Sequence, residues 1–310
     1  MVKIGIDLGG TKIEIVALGE NHRELFRRRV PTPQGDYWAI LSTISELVKA
    51  AERRLGQRGT IGVGTPGATS LATGLLKNSN STCLNGQPFH DDLQHMLDRP
   101  LRMENDANCF ALSEAVDGAA AGKGIVFGVI VGTGTGGGIV VHGKTLKGIN
   151  AIAGEWGHNP LPWPREDEIP GPDCYCGKNG CIETYLSGPG MSNDHLRVTR
   201  TRLAAEAIRI GALRGDKACE ETIQRYEDRM ARSLAHVINI LDPDIIVLGG
   251  GMSKITRLYE NIPNLWGKYI FSDSVDTLLV PPKHGDASGV RGAAMLWEGE
   301  YRERRIMIQD

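Results

Sequence analysis

Two segments of the chain share one pattern of apolar and polar positions. Residues 4–19 and 127–143 each contain an apolar run, a turn of glycine and threonine, and a second run rich in β-branched residues. Such runs predict strands, and small residues at the bend predict a tight hairpin. Two such hairpins in one chain predict a duplicated α/β architecture of two domains with a cleft between them.

Helical periodicity occurs between and after these hairpins. Apolar residues recur at helical spacing over residues 38–55, 91–97, 107–121 and 217–241. The last segment is followed by Asp-Pro-Asp and then by a short apolar run at 245–248, which predicts a helix end and a buried strand. Residues 160–173 hold five prolines and four acidic residues, a composition typical of a surface loop.

The composition narrows the possible functions. The chain has 310 residues, of which 41% are hydrophobic, and Lys+Arg 35 nearly balance Asp+Glu 37. Without a basic run, we expect neither a nucleic-acid partner nor an anionic membrane surface. Residues 1–7 enter a strand pattern at once, so we expect no signal peptide, and no apolar run is long enough to cross a bilayer. We therefore expect a cytoplasmic protein.

Two glycine–threonine turns could bind phosphate groups. Gly9-Gly10-Thr11-Lys12 and Gly132-Thr133-Gly134 would present backbone N–H groups and hydroxyls without a Cβ in the way. Asp7 stands just before the first turn. Either turn could instead be a plain hairpin bend, but the pair favours a nucleotide site. Gly250 and Gly251, after the predicted strand at 245–248, could likewise lie against a nucleoside or form an ordinary turn.

Two familiar glycine patterns are rejected. Residues 132–137 satisfy G-x-G-x-x-G and residues 138–145 satisfy G-x-x-x-x-G-K-T. The first pattern requires a helix after the turn, and the second requires a loop that wraps a phosphate. Both segments contain or precede a β-branched run, which prefers an extended strand.

Asp106 is the candidate catalytic residue. It lies in Met-Glu-Asn-Asp-Ala-Asn at the start of a predicted helix, where Asn-Asp is also an ordinary N-cap. In phosphoryl transfer, a carboxylate at this position can orient a hydroxyl group and accept its proton.

A metal site is the most specific prediction. His158, Cys174, Cys176 and Cys181 supply one imidazole and three thiolates, the ligand set of a closed tetrahedral zinc site. Four filled positions indicate a structural ion, although free cysteines in a loop are the alternative. Glu155 and Glu183 flank these ligands, and carboxylates bind sugar hydroxyls well. The scattered Cys83, Cys109 and Cys219 are expected to be small buried side chains.

The chain resembles the ROK family of sugar kinases and repressors. The resemblance extends from the first strand to Arg291-Gly292-Ala293-Ala294, essentially the whole chain. The motifs that carry it are Asp7-Leu8-Gly9-Gly10-Thr11-Lys12, Gly64-Thr65-Pro66-Gly67, Asn105-Asp106-Ala107-Asn108, Gly132-Thr133-Gly134, Glu155-Trp156-Gly157-His158, the Cys174–Glu183 motif and Leu248-Gly249-Gly250-Gly251. The repressors carry an N-terminal winged helix-turn-helix, whereas here Asp7 already belongs to the first strand. The resemblance therefore implies the kinase branch.

Within that branch, residues 77–89 and 155–163 resemble the bacterial fructokinase/mannokinase group. N-acetylglucosamine kinases share most other motifs, including residues 108–114, so an N-acetylglucosamine kinase or a glucokinase is the alternative. Cys83 departs from the tryptophan of many relatives and bears on the shape of the sugar pocket.

Two alternatives come from other classes. A sugar-sensing regulator without catalysis would need neither Asp106 nor the two glycine–threonine turns. An acetate-kinase-like or other non-sugar phosphotransferase is disfavoured by Glu155 and Glu183, which suit neutral polyols.

The resemblance implies an actin-like, hexokinase-type (ribonuclease H-like) fold, with a small domain of residues 1–115 plus 291–310 and a large domain of residues 116–290. It implies ATP and Mg²⁺ as cofactors, a structural Zn²⁺ and a homodimer. The expected reaction is transfer of phosphate to O6 of a hexose, and fructose is the expected substrate. It assigns Asp106 as base, and the other roles as follows: Asn80, Asn105, Glu155, His158 and Glu183 at the sugar; Gly9, Gly10, Thr11, Lys12, Gly132, Thr133 and Gly134 along the phosphates; Asp7 near the magnesium; Gly250 and Gly251 near the nucleoside.

Overall fold

The computed structural model describes residues 1–79 and 81–298. The chain forms two compact units. Of the described residues, the first unit contains those within 1–122, 138–153 and 286–298, and the second contains Lys123–Gly137 and Gly154–Gly285. The units divide the chain at other positions than the expected domain boundaries after residues 115 and 290, which stay a prediction.

The strands form two five-stranded sheets and one small hairpin. In chain order they are β1 Lys3–Leu8, β2 Lys12–Leu18, β3 Glu24–Pro31, β4 Thr60–Thr65, β5 Ala68–Thr69, β6 Leu76–Lys77, β7 Leu101–Asn105, β8 Ile125–Val131, β9 Thr135–Val141, β10 Lys144–Thr145, β11 Ile245–Gly249 and β12 Leu278–Val280. The sheet orders are β3-β2-β1-β4-β7 and β10-β9-β8-β11-β12, and β5 pairs with β6. The β1–β2 pair is antiparallel, as the predicted hairpin at 4–19 requires, whereas β1, β4 and β7 are parallel.

The α-helices lie between and after these strands along the chain. They are α1 Tyr37–Leu55, α2 Phe89–Leu97, α3 Asp106–Val116, α4 Glu183–Leu186, α5 Gly188–Thr199, α6 Ala205–Leu213, α7 Lys217–Leu241, α8 Leu258–Trp266 and α9 Ser288–Met295. Helix α7 has the predicted bounds: the Asp216 side chain caps its start at the Cys219 N–H (2.9 Å), and Asp242 ends it in a left-handed conformation.

Helix α3 is shorter than the predicted 107–121. The side chain of Glu114 turns back to accept a hydrogen bond from the Ala119 N–H (2.8 Å), and the Glu114 carbonyl accepts one from Ala120 (2.9 Å). The N–H groups of Ala119 and Ala120 are therefore satisfied by Glu114 outside the helical pattern of hydrogen bonds, and the helix ends at Val116.

In the first unit, close backbone contacts fix α9 against the sheet and against α3. A Cβ added at Gly5 or Gly62 would overlap backbone atoms of α9, and one added at Gly292 would overlap the Cys109 carbonyl of α3. Glycine is therefore required at these three positions for the elements to approach. This packing positions the ends of β1 and β7, which carry Asp7 and Asp106.

In the second unit, residues 160–173 are anchored more firmly than a surface loop. The Glu168 carboxylate is buried and accepts hydrogen bonds from Arg229 (2.7 Å) and Arg232 (2.9 Å) of α7. Arg232 also donates to the Pro162 and Trp163 carbonyls (3.0 and 2.7 Å). The exposed-loop prediction is therefore wrong for Glu168, because two arginines supply the partners that a buried carboxylate needs.

Candidate active site and metal site

The first unit brings two aspartates to one edge of its sheet. The register of the parallel strands aligns Asp7 with Gly64, and Gly64 with Glu104. Asp7 lies near the end of β1, and Asp106 begins α3 immediately after β7. Ligands of open α/β sheets bind outside the carboxyl ends of the strands. Asp7 and Asp106 therefore lie where a ligand is expected.

The pKa of Asp7 is well above that of an ordinary aspartate. Burial, followed by the negative charges of Asp106 and Glu14, raises the pKa of Asp7 to about 7, against weaker opposing effects of Lys12 and Arg29. Neighbouring carboxylates disfavour each other's charged forms, and a bound cation reverses that effect. Carboxylate oxygens are also the ligands that Mg²⁺ prefers. The donor set at this edge therefore fits a magnesium ion.

Backbone contacts orient Asp106. The Asn105 side chain caps α3 by accepting from the Ala107 N–H (2.9 Å), and its amide donates to the Gly67 carbonyl (3.1 Å). The same Ala107 N–H lies 2.8 Å from Asp106 Oδ1. A carboxylate in the first turn also interacts favourably with the helix dipole. Asn105 thus caps the helix that the sequence predicted to start here, and Asp106 lies in its first turn.

A supporting group behind Asp106 was not predicted. Glu104 is buried, and its Oε1 accepts from the Asn105 N–H (3.1 Å) and from the Asn108 side chain (3.2 Å). Lys147 lies 3.0 Å from the second carboxylate oxygen. The buried Glu104 carboxylate therefore stabilises the start of α3. The only signal in the sequence was an acidic residue inside a strand, which carries no information about its distant partner.

The Gly9–Lys12 turn is held by residues that follow β3 rather than by the turn alone. Thr32 Oγ1 donates to the Gly9 carbonyl (2.7 Å), and its backbone N–H donates to the Thr11 carbonyl (3.0 Å). The Gln34 side chain donates to the Gly10 carbonyl (2.6 Å). Three successive carbonyls are therefore occupied by protein donors, which fixes the shape of the turn. Thr32 and Gln34 were not among the predicted site residues.

The second unit brings its two glycine turns together. Gly132-Thr133-Gly134 connects β8 to β9, and Gly250 and Gly251 follow β11, which is parallel to β8. Gly250 adopts a φ of 83°, and a Cβ there would overlap the Val131 carbonyl. A Cβ on Gly132 would lie 3.8 Å from the Gly251 nitrogen. The predicted phosphate and nucleoside turns are thus neighbours at the carboxyl ends of two parallel strands.

Glu183 joins the second glycine turn to the metal-ligand loop. Its Oε2 accepts a hydrogen bond from the Thr135 N–H (2.7 Å), and a Cβ on Gly134 would lie 2.8 Å from the same oxygen. Cys181 is two residues earlier in the chain, and the Thr184 hydroxyl donates to its carbonyl (2.7 Å). The carboxylate expected at the sugar therefore also shapes the turn expected at the phosphates.

Glu155 begins the short segment that carries His158. The intervening Trp156 is buried, donates to the Gly136 carbonyl (3.0 Å), and packs edge-to-face on Phe127 with ring centroids 5.7 Å apart. This anchor leaves Glu155 exposed at the start of a 3₁₀ turn and His158 partly buried at its end. Glu155, His158 and Glu183 therefore all belong to the second unit.

The four predicted metal ligands converge. The ligand atoms of His158, Cys174, Cys176 and Cys181 lie within 4.8 Å of one another. His158 Nδ1 is 3.5 Å from the Cys174 sulfur, and the sulfurs of Cys176 and Cys181 are 3.6 Å apart. A tetrahedral zinc ion with ligands at about 2.0–2.3 Å would place them roughly 3.4–3.8 Å apart. The geometry of these two pairs fits such an ion.

Comparisons with known proteins decide the family. A sequence profile described as the ROK family matches residues 3–300. The chain belongs to the ROK family. An N-acetyl-D-glucosamine kinase of Yersinia enterocolitica is 37% identical over 296 residues, 94% of this chain and 98% of that protein. One from Salmonella paratyphi A is 38% identical over the same shares.

Solved structures agree with the ROK assignment. A ROK hexokinase from Thermus thermophilus matches with a TM-score of 0.87 and 30% identity, covering 98% of this chain and all of that one (100%). A ROK family glucokinase from Streptomyces griseus, solved with glucose and AMPPNP, matches with a TM-score of 0.76 and 26% identity over 96% of this chain and 99% of that one. The chain is therefore a ROK family sugar kinase, a phosphotransferase that acts on a sugar hydroxyl, with the expected actin-like, hexokinase-type fold.

Other predictions have mixed outcomes. The rejected G-x-x-x-x-G-K-T match is indeed extended, with β9 ending at Val141 and β10 at Lys144–Thr145. Cys109 and Cys219 are buried as expected, whereas Cys83 is only partly buried. Asn80 lies outside the described residues. Among residues 1–79 and 81–298, no helix combines the length and apolarity needed to cross a membrane.

Proposed function

We propose that this ROK kinase transfers the γ-phosphate of ATP to O6 of N-acetylglucosamine. The observation that carries this proposal is the 37–38% identity, over 94% of the chain, to two N-acetyl-D-glucosamine kinases. The sequence motifs pointed first to fructose and gave N-acetylglucosamine as the alternative. The relatives favour N-acetylglucosamine, so we propose it, rather than fructose, as the substrate.

Asp106 is proposed as the residue that accepts the proton of the sugar hydroxyl. This proposal is supported by the position of the Asp106 carboxylate beyond the carboxyl ends of the strands. The carboxylate accepts from the Ala107 N–H, and the neighbouring Asn105 caps α3. Phosphoryl transfer requires positioning of the nucleophile and neutralisation of phosphate charge more than covalent chemistry. When bound, Mg²⁺ would supply part of that neutralisation, and Asp7 is the carboxylate proposed to hold it.

The remaining residues are assigned by chemistry. Glu155, His158 and Glu183 are proposed to hold sugar hydroxyls, together with Asn80 and Asn105. Gly9, Gly10, Thr11, Lys12, Gly132, Thr133 and Gly134 are proposed along the phosphates, and Gly250 and Gly251 at the nucleoside. Support comes from the fixed turn at Gly9–Lys12 and from the adjacency of the two turns of the second unit. The homodimer stays a prediction, which gel filtration with light scattering can test. The cytoplasmic location also stays a prediction.

The test is an ADP-release assay with Mg-ATP and a panel of N-acetylglucosamine, fructose, mannose and glucose. We expect the highest kcat/KM with N-acetylglucosamine. Asp106→Asn should lower kcat by at least about 100-fold, the usual contribution of general acid–base catalysis, with little change in sugar affinity. The matched control is Asp98→Asn: Asp98 has a φ of 49° at the end of α2, a conformation that asparagine tolerates. Highest activity with fructose, or full activity of the Asp106 variant, would contradict the proposal.

We also propose that His158, Cys174, Cys176 and Cys181 hold a structural zinc ion. The two matching ligand spacings and the convergence of all four ligand atoms support it. Purified protein should contain about one zinc per chain by elemental analysis, and Cys176→Ser should lose it, whereas Cys219→Ala should not. Full metal content in the Cys176 variant would contradict this assignment.

A further inference from the structure

Lys147 is the cationic partner of a buried carboxylate in the first unit. Its Nζ lies 3.0 Å from Oε2 of Glu104, and the lysine side chain is 55% exposed, whereas that of Glu104 is 8% exposed. Among the residues that the structure describes, none donates a hydrogen bond to this oxygen. The contact with Lys147 is therefore an ion pair without an aligned hydrogen bond. A buried carboxylate needs such a partner, because its charge has lost the solvation of water.

The backbone around Lys147 is anchored. The Leu146 N–H donates to the Ile139 carbonyl of β9 (2.8 Å), and the Lys147 carbonyl accepts from the Ala153 N–H (3.2 Å). Lys147 and Glu104 also line an open cavity of about 450 Å³ within the first unit. The lysine therefore extends to Glu104 from a fixed backbone. Because its side chain borders this cavity, a substitution at Lys147 should leave the fold intact.

The other oxygen of Glu104 contacts residues on both sides of Asp106. Oε1 accepts from the Asn105 N–H (3.1 Å) and from the Asn108 side-chain amide (3.2 Å). The Asn105 side chain in turn accepts from the Ala107 N–H (2.9 Å), which also lies 2.8 Å from Asp106 Oδ1. One carboxylate therefore connects the ion pair to the turn of α3 that carries the proposed proton acceptor.

A proton acceptor in phosphoryl transfer acts mainly through its position. A displacement of about 1 Å, even one caused far from the reacting atoms, can lower a rate roughly 100-fold. We infer that Lys147 is a positioning residue for phosphoryl transfer, which holds Glu104 and through it the orientation of Asp106. The inference rests on the proposed role of Asp106, and it does not depend on which sugar is the substrate.

The test is steady-state kinetics with Mg-ATP and the sugar that the wild-type enzyme uses best. Lys147→Met keeps the length of the side chain and removes its charge, so kcat should fall roughly 10- to 100-fold. The KM values for sugar and ATP should change by less than about twofold, because Lys147 is not proposed to touch either substrate. Lys147→Arg keeps the charge and should retain kcat to within about threefold. The matched control is Lys217→Met: Lys217 pairs with Glu221 at 3.8 Å but is 90% exposed, so kcat should not change.

A double variant shows whether Lys147 acts through Glu104. Glu104→Gln removes the buried negative charge, and with it the need for a cation. In this background, Lys147→Met should cause no further loss of kcat, since two residues that act as one unit are not additive. A residue that only stabilised its own loop would instead lower kcat by the same factor in both backgrounds.

The other outcomes overturn the inference. An unchanged kcat in Lys147→Met means that the ion pair does not position Asp106. An equal loss in Lys147→Arg, or a loss that persists in the Glu104→Gln background, means that the packing of the lysine matters rather than its charge on Glu104. If Asp106→Asn is fully active, the proposed role of Asp106 fails first, and the inference fails with it. The Asp106 variant alone identifies that case.

Discussion

Glu168→Gln tests the buried charge network that anchors the loop before the metal ligands. The substitution keeps the shape of the side chain and removes its charge. In the wild-type protein the carboxylate is bonded to Arg229 and Arg232, whose side chains are 3% and 1% exposed. Both arginines retain one other carboxylate, Asp194 and Asp228 respectively, each at 3.0 Å. The variant therefore removes the one carboxylate that both buried arginines share.

The pKa of Glu168 sets the expected magnitude. Burial alone would raise this pKa, but hydrogen bonds from Arg232, the Arg165 backbone and Arg229 outweigh burial and lower it from 4.5 to about 2. At about 1.4 kcal/mol per pH unit, the difference corresponds to roughly 3 kcal/mol of stability at pH 7. Removal of one partner from a buried ion pair has a similar typical cost, about 3–5 kcal/mol. We therefore expect Glu168→Gln to lower the free energy of unfolding by about 3 kcal/mol.

The sign of the pH dependence follows from the lowered pKa. The stabilisation is complete above the unfolded value of 4.5 and is lost as the pH falls through about 2. The difference between wild type and variant should therefore be constant from pH 8 to pH 5, and should shrink to roughly half at pH 3. Urea unfolding at pH 7, 5, 4 and 3 measures it. The control is Glu206→Gln, which removes an exposed partner of Arg209 and should leave stability unchanged.

Two results would refute this reasoning. If Glu168→Gln is as stable as wild type at pH 7, the network contributes no net stability, as happens when desolvation cancels the attraction of buried charges. If the variant is less stable by the same amount at pH 7 and pH 3, then lost packing or geometry, rather than the carboxylate charge, is responsible.

Three other substitutions test separate parts of the site. Asp7→Asn should stabilise the magnesium-free protein by roughly 4 kcal/mol at pH 8 in urea unfolding, because folding raises the pKa of Asp7 from 3.8 to about 7 and each pH unit corresponds to about 1.4 kcal/mol. The ionisation of Asp7 opposes folding as the pH rises from 3.8 towards 7, so the gain should become small near pH 4. The variant should also lose activity. Gly292→Ala should lower stability by roughly 1–3 kcal/mol through overlap with the Cys109 carbonyl, as measured by urea unfolding. Glu183→Ala should raise the KM for ATP roughly 10-fold in steady-state assays, since it frees the Thr135 N–H.

Local signals in the sequence were sufficient for the elements and for the metal ligands. Helix α7 was predicted at its observed bounds because its apolar residues recur at helical spacing and Asp242-Pro243-Asp244 marks its end. The metal cluster was predictable because three of its ligands lie within eight residues of one another, in a loop whose Gly177 and Gly180 both adopt positive φ.

Residues that depend on tertiary packing were not predictable. Glu168 meets Arg229 and Arg232 across 61 and 64 positions of the chain, and arginines on a helix are ordinarily solvated. Lys147 and Glu104 belong to segments whose contact depends on how β10 and α3 pack. A charge inside a strand or on a helix shows only that a partner is needed, and the fold decides which residue provides it.

The metal-ligand loop concentrates several proposed roles in a short segment, and the structure gives a physical reason for that arrangement. A side chain that binds a sugar must be positioned to within a fraction of an ångström. A loop achieves this only when several contacts fix its backbone. Here Cys181 is tied to the metal cluster, and Glu183, two residues later, is tied to the Thr135 N–H at 2.7 Å. The proposed zinc ion would therefore act on sugar binding without touching the sugar through Glu183, because it would fix the backbone from which Glu183 extends.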